Sequence, residues 1–114
     1  MLLIDFLEKL NAAPETVTFD QTMAVIEENY RFSETAFTNG KTKNIAGQNN
    51  GSCKIYAFGH INGLTEAQTL QCFGDYYRKD VLGNPDGEDH QNIRNFIQYG
   101  WQGISFDDSA LALK

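Results

Sequence analysis

Cysteine and proline are scarce in this chain, two of each among 114 residues, and basic residues are outnumbered by acidic ones, nine to fifteen. Cys53 and Cys72 can make one bridge at most, too few for a disulfide framework, and they fit a reduced cytoplasmic setting. With so little proline and 41% hydrophobic content, the chain fits one compact domain that buries a core without disulfides or a structural metal. The formal charge of -6 and the scattering of the positive residues argue against a general attraction to nucleic-acid phosphates or to anionic membranes. Long apolar runs are missing as well. The start, Met1 to Leu10, has no basic leader and is interrupted by Asp5 and Glu8, so neither a Sec-type signal nor a membrane span is expected, and the protein is expected to be soluble and cytoplasmic. No internal repeat or low-complexity stretch is present.

What is present is helical periodicity. Leu2, Leu3, Phe6, Leu7 and Leu10 form one stripe that Pro14 closes. Thr18 with Gln21 makes a capping box for a second helix over 19–31, with Phe19, Met23, Ile26 and Tyr30 on its apolar face. A third helix is expected from Cys53 to the Asn62-Gly63 cap. A fourth starts from the capping box of Thr65 and Gln68, carries Leu70, Phe73, Tyr77 and Val81, ends at Gly83 and Pro85, and reads as the central helix. A fifth follows the acidic turn 84–89, where Asp86 or Asp89 is the expected cap, and runs to Gly100. Two stretches alternate instead: Phe32 to Thr38, before the Asn39-Gly40 turn, and Trp101 to Phe106. The expectation is a mainly α single compact domain of about five helices, with a small two-stranded β clip between the Phe37 and Ile104 regions. The domain spans 1–108, and 109–114 is a C-terminal tail.

Residues 44–63 hold the most specific local signal, a glycine- and amide-rich loop running into Cys53. Ser52 is a good N-cap and would place Cys53 in the first helical turn, where unpaired N–H groups, the helix dipole and neighbouring Lys54 favour a thiolate. Gly51-Ser52-Cys53 is reminiscent of the cysteine segment of papain-like proteases, with His90 as base and Asn92 as its orienting partner. The spacing departs from that pattern: Gly47 stands where a glutamine is needed, Gln48 is one residue too close, and Lys54 replaces the aromatic.

The run Asn39-Gly40, the loop Asn44 to Lys54, the stretch Thr69 to Arg78, Asp80-Val81-Leu82, and Asp89 to Arg94 leading to Gly100-Trp101 resemble the HopJ family over roughly 1–108. The resemblance implies a small single-domain protein without an assigned activity. The family takes its name from a plant-pathogen protein assigned as a type III secretion effector, so the resemblance also implies translocation by such a system.

Metal chemistry finds little support in the spacing. Cys53 and His60 lie two helical turns apart, about 10 Å along the axis, too far for one ion. Cys72, Asp75 and Tyr76 are spaced suitably but have no local histidine. The turn 84–89 echoes a calcium loop, yet Leu82 and Ile93 occupy its end ligand positions. No metal or cofactor is expected. Asp75 and Lys79 can pair along an exposed face, while Arg78 or Arg94 can enter a polar pocket to hold an anion or tie down the Asn-rich loop. The candidate binding residues are Asn44, Asn49, Ser52, Arg78, Asp89, Arg94 and Trp101, and of these Asn44, Asn49, Asp89, Arg94 and Trp101 are expected to share a polar cleft with His90. The functional expectation is a non-enzymatic effector-like or regulatory binding module for a protein or small-molecule ligand. The alternative is a cysteine-dependent hydrolase or transferase using Cys53 and His90.

Overall fold

The computed structural model describes residues 1–114. Five α-helices are the main elements: α1 Leu3–Ala12, α2 Phe19–Asn29, α3 Asn50–Ile61, α4 Glu66–Gln71 and α5 Gln91–Tyr99. A π-helical segment covers Tyr76–Val81, and the short strands are β1 Tyr30–Phe32, β2 Phe37–Asn39, β3 Thr42–Asn44, β4 Ile104–Phe106 and β5 Leu111–Leu113. No helix is long and apolar enough to cross a membrane.

Local chemistry sets several boundaries where the sequence places them. Both capping boxes form, with the Thr18 and Thr65 hydroxyls accepting from the backbone N–H groups of Gln21 and Gln68, each at 3.1 Å. Gly63 takes the left-handed conformation after α3, and the Leu64 N–H closes the helix end on the Gly59 carbonyl at 2.9 Å. The α2 helix stops at Asn29, slightly earlier than its apolar stripe suggests. Tyr30 turns extended there because its strand has a partner in the tail: β1 pairs antiparallel with β5, Tyr30 opposite Leu113 and Phe32 opposite Leu111.

The clip between the Phe37 and Ile104 regions is present, with Phe37 opposite Phe106 and Asn39 opposite Ile104. It is larger than expected, because β3 adds a third strand on the other edge of β2 through the turn at Gly40-Lys41. Trp101 does not belong to a strand; Gly100–Gly103 coils into a 3-10 turn before β4 begins.

The long fourth helix is the main departure. It breaks after Gln71, and Gly74 reverses the chain at φ +62° directly against the start of α2, where a Cβ would lie 2.7 Å from the Phe19 nitrogen. Thr22 donates to the Cys72 carbonyl at 2.9 Å, satisfying an acceptor freed by the break. The chain then resumes as the π-helical segment, so Leu70, Phe73 and Val81 still reach the core from two separate pieces. The central helix is α3, in which every residue from Ile55 to Gly59 is buried. Tyr56 lies at the middle, with Phe96 at 4.8 Å and Phe73 at 5.5 Å between ring centroids.

Candidate functional site

Asn49 and His90, the residues immediately before α3 and α5, are the two non-glycine residues with positive φ, at 53° and 51°. Neither helix start receives a hydrogen bond from its N-cap side chain, and neither has an acidic residue in its first turn. Both helices therefore begin with backbone N–H groups that no N-cap side chain covers, and at α5 the Asp80 and Asp89 carboxylates stand against the N-cap His90. The two starts line one cleft of about 370 Å³, to which Asn49, Gly51 and Ser52 contribute from one side and His90, Gln91 and Asn92 from the other. Phe19, Phe73 and Tyr76 supply apolar wall, and no aspartate or glutamate borders the cleft, although the chain has fifteen.

The floor is a buried amide network. Asn44 and Asn92 donate to each other's side-chain oxygens, at 3.0 Å both ways. The Asn49 amide reaches down to the Asn44 oxygen at 2.8 Å, and the main-chain carbonyl of Asn92 accepts from Asn39 at 2.7 Å and from the Tyr56 hydroxyl at 2.8 Å. Burial pushes the Tyr56 phenol upward, so it stays a neutral donor. One side-chain atom, Asn39 Oδ1, is buried without a partner. Asn95 adds a tie from α5 to β3, donating to the Thr42 hydroxyl at 2.6 Å.

Cys53 reverses the expectation made for it. Helix α3 starts at Asn50, so Ser52 lies within the first turn rather than capping it, and Cys53 falls on the inner face. Burial pushes its thiol up to about 11; Lys54 pulls the other way and is outweighed. The Lys54 ammonium stands over the Phe32 ring, 4.9 Å from its centroid. His90 is not bonded to Cys53: its Nε2 lies 3.1 Å from Asp80 and 3.8 Å from Asp89. Cys53 and His90 thus form no nucleophile and base pair. Cys72 is also free and buried, its thiol pushed up to about 12 by burial.

The remaining candidates separate. Asn49, Ser52 and His90 line the cleft, and Asn44 lies directly beneath it. Arg94 stands behind His90, closing the turn 84–89 by donating to the carbonyls of Asn84 at 2.9 Å and Asp89 at 2.6 Å and to the Asp89 carboxylate at 2.6 Å. That hydrogen bond holds the Asp89 carboxyl below the usual carboxylate range. Asp89 is therefore Arg94's partner and not the cap of α5. Arg78 does not line the cleft: its guanidinium donates to Gln71 Oε1 at 2.7 Å and to the carbonyls of Pro14 and Val17, pinning the connection between α1 and α2. Asp75 does pair with Lys79, at 3.5 Å. Trp101 does not border the cleft; its indole donates to the Leu64 carbonyl at 3.1 Å and its ring meets Phe96 edge-on at 5.0 Å. Sequence reasoning missed Asn39, Tyr56, Tyr76 and Gln91. The first reads as a turn residue, and the others carry no local motif.

Comparison with known proteins agrees with the resemblance in the sequence. The family model described as HopJ type III effector protein matches residues 3–111. A crystal structure described as that of the unknown function protein VPA0580 is 57% identical, covers 100% of this chain and 95% of its own, and superposes with a TM-score of 0.99. No curated protein matches.

Proposed function

The chain belongs to the HopJ family, and from that premise we propose that it is a non-enzymatic, effector-like or regulatory binding module whose ligand sits between the starts of α3 and α5. The observation that carries this reading is the acid-free polar cleft of about 370 Å³, a volume within the range of small-molecule sites. Its surroundings favour one class of ligand. Backbone N–H groups at the two helix starts and the Ser52 and Thr42 hydroxyls offer donors, while the Asn49 and Gln91 amide nitrogens are engaged by Asn44 and Glu88, so the complementary group is rich in acceptors. A small molecule bearing a carboxylate or phosphate meets that requirement, with Phe19, Phe73 and Tyr76 available to its apolar part. Delivery by a type III system is included in the proposal on the strength of the family's description alone. Cysteine chemistry finds no support, since the one thiol next to the loop is buried and held protonated.

Titration of the 15N-labelled protein with inorganic phosphate and with acetate tests the reading. The expected result is saturable movement of the backbone amide signals of Gly51, Ser52, Asn92 and Ile93. Movement confined to the lysine-bearing surface, or none at millimolar ligand, would overturn it.

A further inference from the structure

The amides that floor the cleft do more than fill space. Asn44 sits on β3, between the two helix starts, and both ends of its side chain are engaged. Its oxygen accepts from Asn49 at 2.8 Å and from Asn92 at 3.0 Å, while its nitrogen donates to the Asn92 oxygen at 3.0 Å. Asn49 opens α3 and Asn92 is the second residue of α5, so one buried side chain is bonded to both walls. We propose that Asn44 and Asn92 are positioning residues, a clasp that sets the width of the cleft by holding the starts of α3 and α5 in one register. The inference rests on the binding reading above and adds to it the means by which the site is kept in shape.

The physical argument is directional. An apolar contact between two helix starts is non-directional, so burial of area alone does not select one register. A reciprocal amide pair does not: shifting either wall breaks donor and acceptor bonds at once and leaves buried amide groups with no water to replace them. Networks of this kind specify one arrangement when their members are satisfied. The back of the clasp is anchored twice more at the Asn92 carbonyl, by Tyr56 from α3 and by Asn39 from β2. The clasp also explains why α3 begins uncapped. Asparagine is among the best N-cap residues, yet Asn49 directs its amide downward to Asn44 and takes the left-handed conformation to do so. The group that would ordinarily cover the helix start is diverted into the floor.

The test uses Asn49→Gly, which suits the left-handed backbone and removes only the α3 arm of the clasp at an exposed position, together with Asn92→Ala, which removes the interior pair. Residue-resolved hydrogen exchange reads the result in the full chain without any ligand. In Asn49→Gly the side-chain amides of Asn44 and Asn92 should exchange at least tenfold faster, while backbone amides in α1 and α2 change less than twofold. In Asn92→Ala the Asn49 side-chain amide should be released similarly. An effect in Asn49→Gly confined to residues 49–53, or one spread evenly over the whole molecule, would overturn the clasp. Phosphate titration of the same variants separates the two claims. If the wild type takes no phosphate, the binding reading fails while the exchange data still decide the clasp. If it does, the affinity should fall at least tenfold in Asn49→Gly, and an unchanged affinity would count against the clasp.

Discussion

At Cys53 two opposing influences meet on one thiol, and their magnitudes decide its chemistry. A helix start and a lysine neighbour favour the thiolate, but those effects operate across solvent or through the first turn, whereas desolvation acts on the whole charged form. Burial prevails, and the thiol sits at about 11. Against the ordinary thiol value of 9.0, that rise lowers the thiolate fraction at neutral pH by about a hundredfold. Alkylation of Cys53 in the native protein should therefore be at least that much slower than for an unfolded control, rising only at alkaline pH or on denaturation; mass spectrometry of the two cysteine peptides checks it. Rapid reaction at pH 7 would return Cys53 to the list of active groups. The asparagines teach the complementary point. Asn39 and Asn44 look like turn and loop residues in one dimension, and Asn39 does precede a turn. The hydrogen bonds that join them to Asn92 bridge positions about fifty apart, a separation no local pattern encodes, so the network is not legible in the sequence even though Asn44 and Asn92 are each singled out there.

At the scale of elements, what is decided locally was readable. Capping boxes, the Gly63 terminus of α3 and most of the amphipathic stripes of α1 and α2 depend on residues within a few positions of one another and form as their spacing implies; the exceptions are the stripe ends, Leu2, which stays exposed, and Tyr30, which turns extended. The break in the fourth helix does not follow from spacing in that way. An isolated Gly74 in a helical stripe is compatible with continuation, and the contact that goes with the break is non-local: Gly74, at φ +62°, lies so close to the start of α2 that a Cβ there would be 2.7 Å from the Phe19 nitrogen. The strands β1 and β5 are similarly non-local, three residues each and separated by most of the chain. Gly74→Ala and Gly63→Ala form a matched comparison, since both glycines have φ near +62° but a Cβ at Gly63 meets nothing within 4 Å. Gly63→Ala should cost roughly 1 kcal/mol from backbone conformation alone, and Gly74→Ala at least about 1 kcal/mol more, because Phe19 must also move. Urea denaturation of the two variants measures the difference. Equal losses would mean that the packing of the turn against α2 contributes nothing.

At the scale of the whole molecule, α3 runs through the core and presents its two ends to different surroundings. Its C-terminal half faces shallow apolar grooves around His60, Ile61 and Phe106, and its N-terminal end faces the polar cleft. The account places function at the second of these and assigns Arg78, Arg94 and Trp101 to holding the frame: Arg78 pins the α1–α2 connection, Arg94 closes the turn before α5, and Trp101 locks the chain after it. Near-identity of fold with a protein 57% identical in sequence means the same frame is available to both chains. The most direct measurement is a crystal structure of the protein soaked with a panel of small carboxylates and phosphates. Ordered density is expected between Asn49–Ser52 and His90–Ile93, with anionic oxygens directed at the backbone nitrogens of the two helix starts. Ligands ordered instead in the groove beside His60 and Phe106, with the polar cleft holding only solvent, would contradict it.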